Sequence, residues 1–104
     1  MHLLVWHYHV KPEHRTEFEN IYGPQGEWVA LFQRGQGYIG TELLYDAADP
    51  QRLITIDRWT SQAAYDQFRA QWGADYAALD ERCNALTESD TFIGAFTLPS
   101  ANNQ

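Results

Sequence analysis

Cysteine is nearly absent from this chain, basic residues are few, and no apolar run is long. Cys83 is the only cysteine in 104 residues. No intrachain disulfide can form, as expected of a protein in a reducing cytoplasm. Seven lysines and arginines stand against fourteen acids, for a net charge of −7, and the bases form no cluster. That balance argues against nucleic acid or an anionic membrane surface as partner. No stretch reaches the ~20 apolar residues that cross a bilayer. The first ten residues, MHLLVWHYHV, lack the basic segment and small-residue cleavage site of a signal peptide. A cytoplasmic protein with no membrane partner is the expectation.

Aromatic residues, by contrast, are plentiful. Four Trp, six Tyr and five Phe make up 14% of the chain, within a hydrophobic content of 44%. So many rings need a core, an interface or a cavity to occupy. The length suits one domain that buries roughly two thirds of its unfolded surface.

Residues 2–10 alternate as a strand does, with Leu4, Trp6, Tyr8 and Val10 on one face and Leu3, Val5, His7 and His9 on the other. Both faces carry large side chains, which implies a sheet covered on both sides. Pro12 suits a first helical turn, and Phe18, Ile21 and Tyr22 form a helical stripe that Gly23-Pro24 interrupts. Trp28, Leu31 and Phe32 mark a second helical piece, ended by Gly35 and Gly37. Tyr38–Asp46 reads as a strand. The turn Ala47–Gln51 leads into a third strand, Leu53–Ile56, as an antiparallel hairpin.

Thr60 or Ser61 can cap the next helix, which runs to about Trp72 and restarts near Gly73. Tyr76, Leu79, Cys83 and Leu86 form the apolar stripe of its second piece. Thr91–Leu98 is the last strand, with Phe92, Phe96 and Leu98 on one face and Ile93 on the other. The order is β-α-β-β-α-β. Two right-handed crossovers then give a ferredoxin-like α+β fold, a four-stranded antiparallel sheet with both helices on one face. The domain spans 1–98 and a loose tail 99–104. The uncovered face, carrying His7, His9 and Trp59, predicts a homodimer in which two sheets close a dimeric α+β barrel.

The segments VWHYHVKPE, FENIYGPQGEWVALF, GYIGTELLYD, RLITIDRWTS, AYDQF, YAALDERC and IGAF together resemble the antibiotic biosynthesis monooxygenase domain. That family is one branch of the dimeric α+β barrel superfamily. The resemblance implies a pocket in each protomer between sheet and helices. Some members use such pockets to oxidise aromatic polyketide phenols with O2, without metal or flavin; others break down heme, and many have no established activity. The heme-degrading branch relies on a first-strand asparagine and a histidine late in the helix after the third strand. Here no asparagine precedes Asn20, and all four histidines lie in the first fourteen residues. Heme degradation is therefore not expected.

Oxidation of a phenol by O2 alone needs a base, a polar group to hold the anion, and a dry pocket. The candidate base is His7 or His9, oriented by Asp57 from the neighbouring third strand. The alternative is that both histidines are hydrogen-bonded at the dimer interface and do no chemistry. Trp59, Tyr38, Trp28 and Phe68 are the candidate substrate contacts, against the reading that Trp59 plugs the end of the sheet and Phe68 belongs to the core. Tyr38 and Tyr45 differ in parity, so at most one reaches the cavity. Arg58 is expected in a structural salt bridge, Glu42 at the sheet edge, and Cys83 as an inert buried thiol. His7 and His9 lack a legible third ligand, so no metal site and no cofactor are assigned. The leading function is a cofactor-independent monooxygenase acting on a small aromatic compound. The alternative is a non-catalytic binding or accessory dimer of the same fold.

Overall fold

The computed structural model describes residues 1–99. Strand β1 (His2–Val10) is followed by a 3-10 turn at Pro12–His14 and by α1 (Arg15–Tyr22) and α2 (Glu27–Phe32). The hairpin of β2 (Tyr38–Tyr45) and β3 (Arg52–Trp59) comes next, then the long helix α3 (Gln62–Cys83), a second 3-10 turn and β4 (Thr87–Thr97). The four strands form one antiparallel sheet in the order β2-β3-β1-β4. This is the expected ferredoxin-like fold, with the helices on one face. Beyond Pro99 the expected tail lies outside the described residues.

Local chemistry explains the boundaries. Ser61 caps α3, its Oγ accepting from the Ala64 amide at 3.1 Å. The helix runs on through the expected break, and the irregularity falls at Trp72 (φ −115°, ψ 21°), one residue before Gly73. Gly35 allows a close approach, because a Cβ there would lie 3.0 Å from both the Phe68 and Trp59 rings. Strand β4 starts at Thr87, earlier than the expected Thr91. Its facing also differs. A bulge between the partners of Val5 and Trp6, around Gly94 (φ +155°), puts Phe92 opposite Trp6 but Phe96 opposite Leu3. The two phenylalanines therefore lie on opposite faces.

Residues directly opposite in an antiparallel pair share a face. Leu4 lies opposite Asp57, Trp6 opposite Thr55 and Tyr8 opposite Leu53. These side chains turn toward the helices, where Phe18, Leu53, Phe68 and Trp59 form the centre of the core. Leu3, Val5, His7 and His9 lie opposite Arg58, Ile56, Ile54 and Arg52 on the other face. Two expectations are thereby corrected. Trp59 belongs to the helical face, fully buried at 0% exposure. Asp57 is on that face as well, separated from His7 and His9 by the sheet. The outer face carries the expected salt bridge, Arg58 to Glu42, on the edge strand β2.

Candidate functional site

A pocket opens between the sheet and the helices. Its floor comes from alternating residues of the two central strands, Trp6 and Tyr8 of β1 and Thr55 and Asp57 of β3, with Thr41 from β2. Tyr22 of α1, Trp28 and Phe32 of α2, and Tyr76 of α3 form an aromatic wall. Asp80 of α3 and Asp90 of β4, both exposed, complete the lining. The cavity volume is about 30 Å³, room for a water-sized body, and the pocket opens to solvent. A ring-sized ligand needs the open part.

The rings lock one another in place. Tyr8 packs edge-on against Phe18 and Tyr22, with centroids at 5.1 and 5.0 Å. Trp28 meets Tyr76 edge-on at 5.0 Å, and Trp6 lies 5.0 Å from Phe92. Such pairs hold a rigid apolar surface in position.

Among the described residues Asp57 is the one deeply buried carboxylate, 6% exposed. Thr41 Oγ1 donates to its Oδ1 at 2.8 Å, and the Tyr38 hydroxyl lies 2.6 Å behind Thr41 Oγ1. Because Thr41 donates to the carboxylate, it accepts from Tyr38. Burial raises the Asp57 carboxyl to about 7, and the Thr41 hydrogen bond opposes that shift. Across the floor the Tyr8 hydroxyl sits 3.2 Å from Thr55 Oγ1. Burial holds the Tyr8 phenol well above its usual value, so it stays a neutral donor. Burial and the negative charge of Asp90 also raise Asp80, while Arg69 opposes them.

The arrangement brings together only part of the expected site. Asp57 and Trp28 line the pocket. Tyr38 reaches it through Thr41, while Tyr45 is exposed beneath the Arg15 guanidinium. Trp59 and Phe68 pack beside it, their rings 5.1 Å apart, and do not line it. His7 and His9 are on the far side of the sheet, where His9 Nε2 lies 3.2 Å from Glu88. Within a protomer, the expected histidine–aspartate pair does not form. Missing from the expected site are Tyr8, Thr41, Thr55, Asp80 and Asp90, together with the wall residues Tyr22, Phe32 and Tyr76. One signal was available: Tyr76 and Asp80 are four apart and therefore share a helical face.

Among the described residues no three His, Cys, Asp or Glu side chains converge as a metal site, and no helix is long and apolar enough to cross a membrane. The family model for antibiotic biosynthesis monooxygenase matches residues 1–72. The chain belongs to that family. Solved structures agree in fold. SnoaB, a cofactor-independent oxygenase from Streptomyces nogalater, has a TM-score of 0.73 at 24% identity, covering 99% of this chain and 97% of its own. A protein from Bordetella bronchiseptica bearing the same family name has a TM-score of 0.76 at 18% identity, covering 95% and 97%. Another from Deinococcus radiodurans has a TM-score of 0.74 at 14% identity, covering 100% and 98%. No curated protein matches the sequence. As a family member, the chain shares its fold with monooxygenase-type relatives.

Proposed function

We propose that this protein is a monooxygenase that oxidises a small, electron-rich phenol with O2 and without a cofactor. The observation that carries the reading is Asp57, a buried carboxylate on the floor of an aromatic pocket, with a carboxyl raised to about 7. A base with that proton affinity is matched to neutral pH.

In this mechanism the Asp57 carboxylate takes the phenol proton and leaves an electron-rich phenolate. The neutral Tyr8 hydroxyl, on the same floor, donates to the phenolate oxygen. The phenolate passes one electron to O2, and the resulting radical pair combines at a ring carbon to form a C–O bond. The peroxide takes a proton, loses that carbon's hydrogen as a proton, and breaks its O–O bond to release water. Phenol plus O2 thus gives quinone plus water: the ring is oxidised and O2 is reduced, with one oxygen atom in each product. The rings of Trp6, Trp28 and Tyr76 give the intermediates an apolar surround.

The variant Asp57→Asn tests the assignment on a panel of electron-rich phenols and quinols. Loss of the base should lower kcat/KM for oxygen uptake by ~10²-fold or more. Unchanged uptake would remove Asp57 from the mechanism. A second reading, a binding or accessory protein that does no chemistry, is favoured by the small cavity volume, about 30 Å³. It predicts ligand binding with no oxygen uptake.

The same proposal includes a homodimer formed through the outer face of the sheet. Leu44, opposite Ile54, and Phe96, opposite Leu3, are exposed there, at 43% and 48%. His7 Nε2, on the same face, is buried without a hydrogen-bond partner among the described residues. A second sheet would cover the apolar side chains.

A further inference from the structure

As the pocket stands, a phenol does not reach Asp57. Asp57, Tyr8 and Thr55 on the floor are 6%, 6% and 3% exposed, and the cavity volume is about 30 Å³. A cavity that takes benzene measures about 150 Å³. Contact between a phenol oxygen and Asp57 therefore requires a wall to move. The floor is pinned by the hydrogen-bond ladders of the sheet. Tyr22, Trp28 and Phe32 are buried, and their rings interlock with the core. The wall made by α3 remains, where Tyr76 closes edge-on against Trp28 at 5.0 Å.

That wall is loosely held. The helical geometry of α3 fails at Trp72, one turn before Tyr76, and Gly73 has open space where a side chain would stand. Before the break, Phe68 anchors the helix against Trp59 and Phe32. Beyond Tyr76, Leu79 and Cys83 are buried again. The turn that carries Tyr76 lies between these anchors. It faces α2 across a groove of about 350 Å³, bridged by the exposed ion pairs Arg34–Asp75 and Arg82–Glu27. Arg69 spans the break. It donates to the Tyr65 hydroxyl at 3.0 Å on its own side and lays its guanidinium over the Tyr76 ring, 3.9 Å from the centroid. A cation over a ring at a partly exposed site holds that ring in place and still lets it go.

Resting on the reading of Asp57 as the base, we propose that Tyr76 is the gate that decides which rings reach Asp57, with Arg69 as its latch. A phenol enters when the Tyr76 ring leaves Trp28 and the turn after Trp72 gives way. Tyr76 is thereby a determinant of ring size, since a fused two-ring phenol needs a wider opening than a single ring.

Stopped-flow binding of para-ethylphenol and 1-naphthol, followed by the fluorescence of Trp6 and Trp28 in the pocket lining, tests the gate without turnover. In the unsubstituted protein the observed rate should level off as ligand concentration rises, because opening limits entry. Arg69→Met removes the latch from an exposed position and should raise that plateau about fivefold. Tyr76→Phe keeps the ring and should keep the plateau. Tyr76→Ala removes the gate. Its rate should rise linearly with ligand, and 1-naphthol should gain about tenfold in affinity relative to para-ethylphenol.

A linear rate in the unsubstituted protein, a plateau unchanged in Arg69→Met, or a size preference unchanged in Tyr76→Ala would each overturn the proposal. So would the absence of binding in every one of these proteins. The two readings fail separately. A gated rate without oxygen uptake removes the chemistry of Asp57 and keeps the gate. Oxygen uptake with an ungated rate does the reverse.

Discussion

Thr41 donates from Oγ1 to Asp57 Oδ1 at 2.8 Å, across the β2–β3 pair in which the two residues lie directly opposite. That bond favours the ionised carboxylate and opposes the effect of burial. The proton affinity of Asp57, raised by burial, is therefore tuned by a side chain on another strand. Replacing Thr41 with valine keeps the shape and removes the bond. The carboxyl should rise above about 7, and the alkaline shift should appear in the pH profile of kcat/KM. Tyr38→Phe acts one step further back and should move the profile in the same direction by less. An unchanged profile in Thr41→Val would show that Asp57 is not the titrating base.

Stability should carry the same signature. An unfolded aspartate titrates near 3.9, whereas Asp57 in the folded protein is raised to about 7. Between those values the folded state holds the extra proton, so its contribution favours folding below about 4 and is lost as pH rises to about 7. Above that, it is level. Urea unfolding of Asp57→Asn should show a stability difference that moves toward the variant by a few kcal/mol, at most about 4, across that window. A constant difference from pH 4 to pH 8 would contradict the raised carboxyl.

Trp59 makes a contrasting prediction. It is fully buried and packs against Phe32, Tyr38, Tyr65 and Phe68, with centroids between 5.1 and 5.9 Å. Trp59→Ala should cost about 3–5 kcal/mol in chemical denaturation. Trp28→Phe, at the pocket wall, should instead change KM for an aromatic ligand with little loss of stability. A mild stability effect for Trp59→Ala would contradict its place in the core.

The outer face gives an assembly test. The protein should sediment as a dimer at micromolar concentration, and Phe96→Asp should shift it toward monomer. A monomeric wild-type protein would refute the dimer. His9→Ala leaves the pocket lining untouched and should keep pH dependence of turnover unchanged.

Much of the fold is legible in the sequence, because alternation, helical stripes and turn residues are local signals. That Leu4, Trp6 and Tyr8 share one face of their strand, and Leu53, Thr55, Asp57 and Trp59 one face of theirs, follows from period alone. Which of these sets faces the same side depends on register, and register is a property of two strands. A shift of one residue moves every side chain to the other face. That is why the expected partnership of Asp57 with His7 and His9 does not form, although each strand's alternation is read correctly. The bulge at Gly94 is hidden for the same reason: it separates Phe92 from Phe96 only once β4 is laid against β1. Asp80 and Asp90 carry no local mark of function, since exposed acids on a helix or edge strand are ordinary. Their meaning arises where α3 and β4 meet over the same pocket.

The most direct test of the central claim is oxygen uptake by the purified, chelator-dialysed protein with an electron-rich phenol, followed alongside quinone formation. The account predicts one O2 consumed for each quinone formed, at a rate that rises as pH passes about 7. Uptake that is absent across a broad phenol and quinol panel, despite measurable binding, would contradict it and leave a binding protein on an oxygenase scaffold.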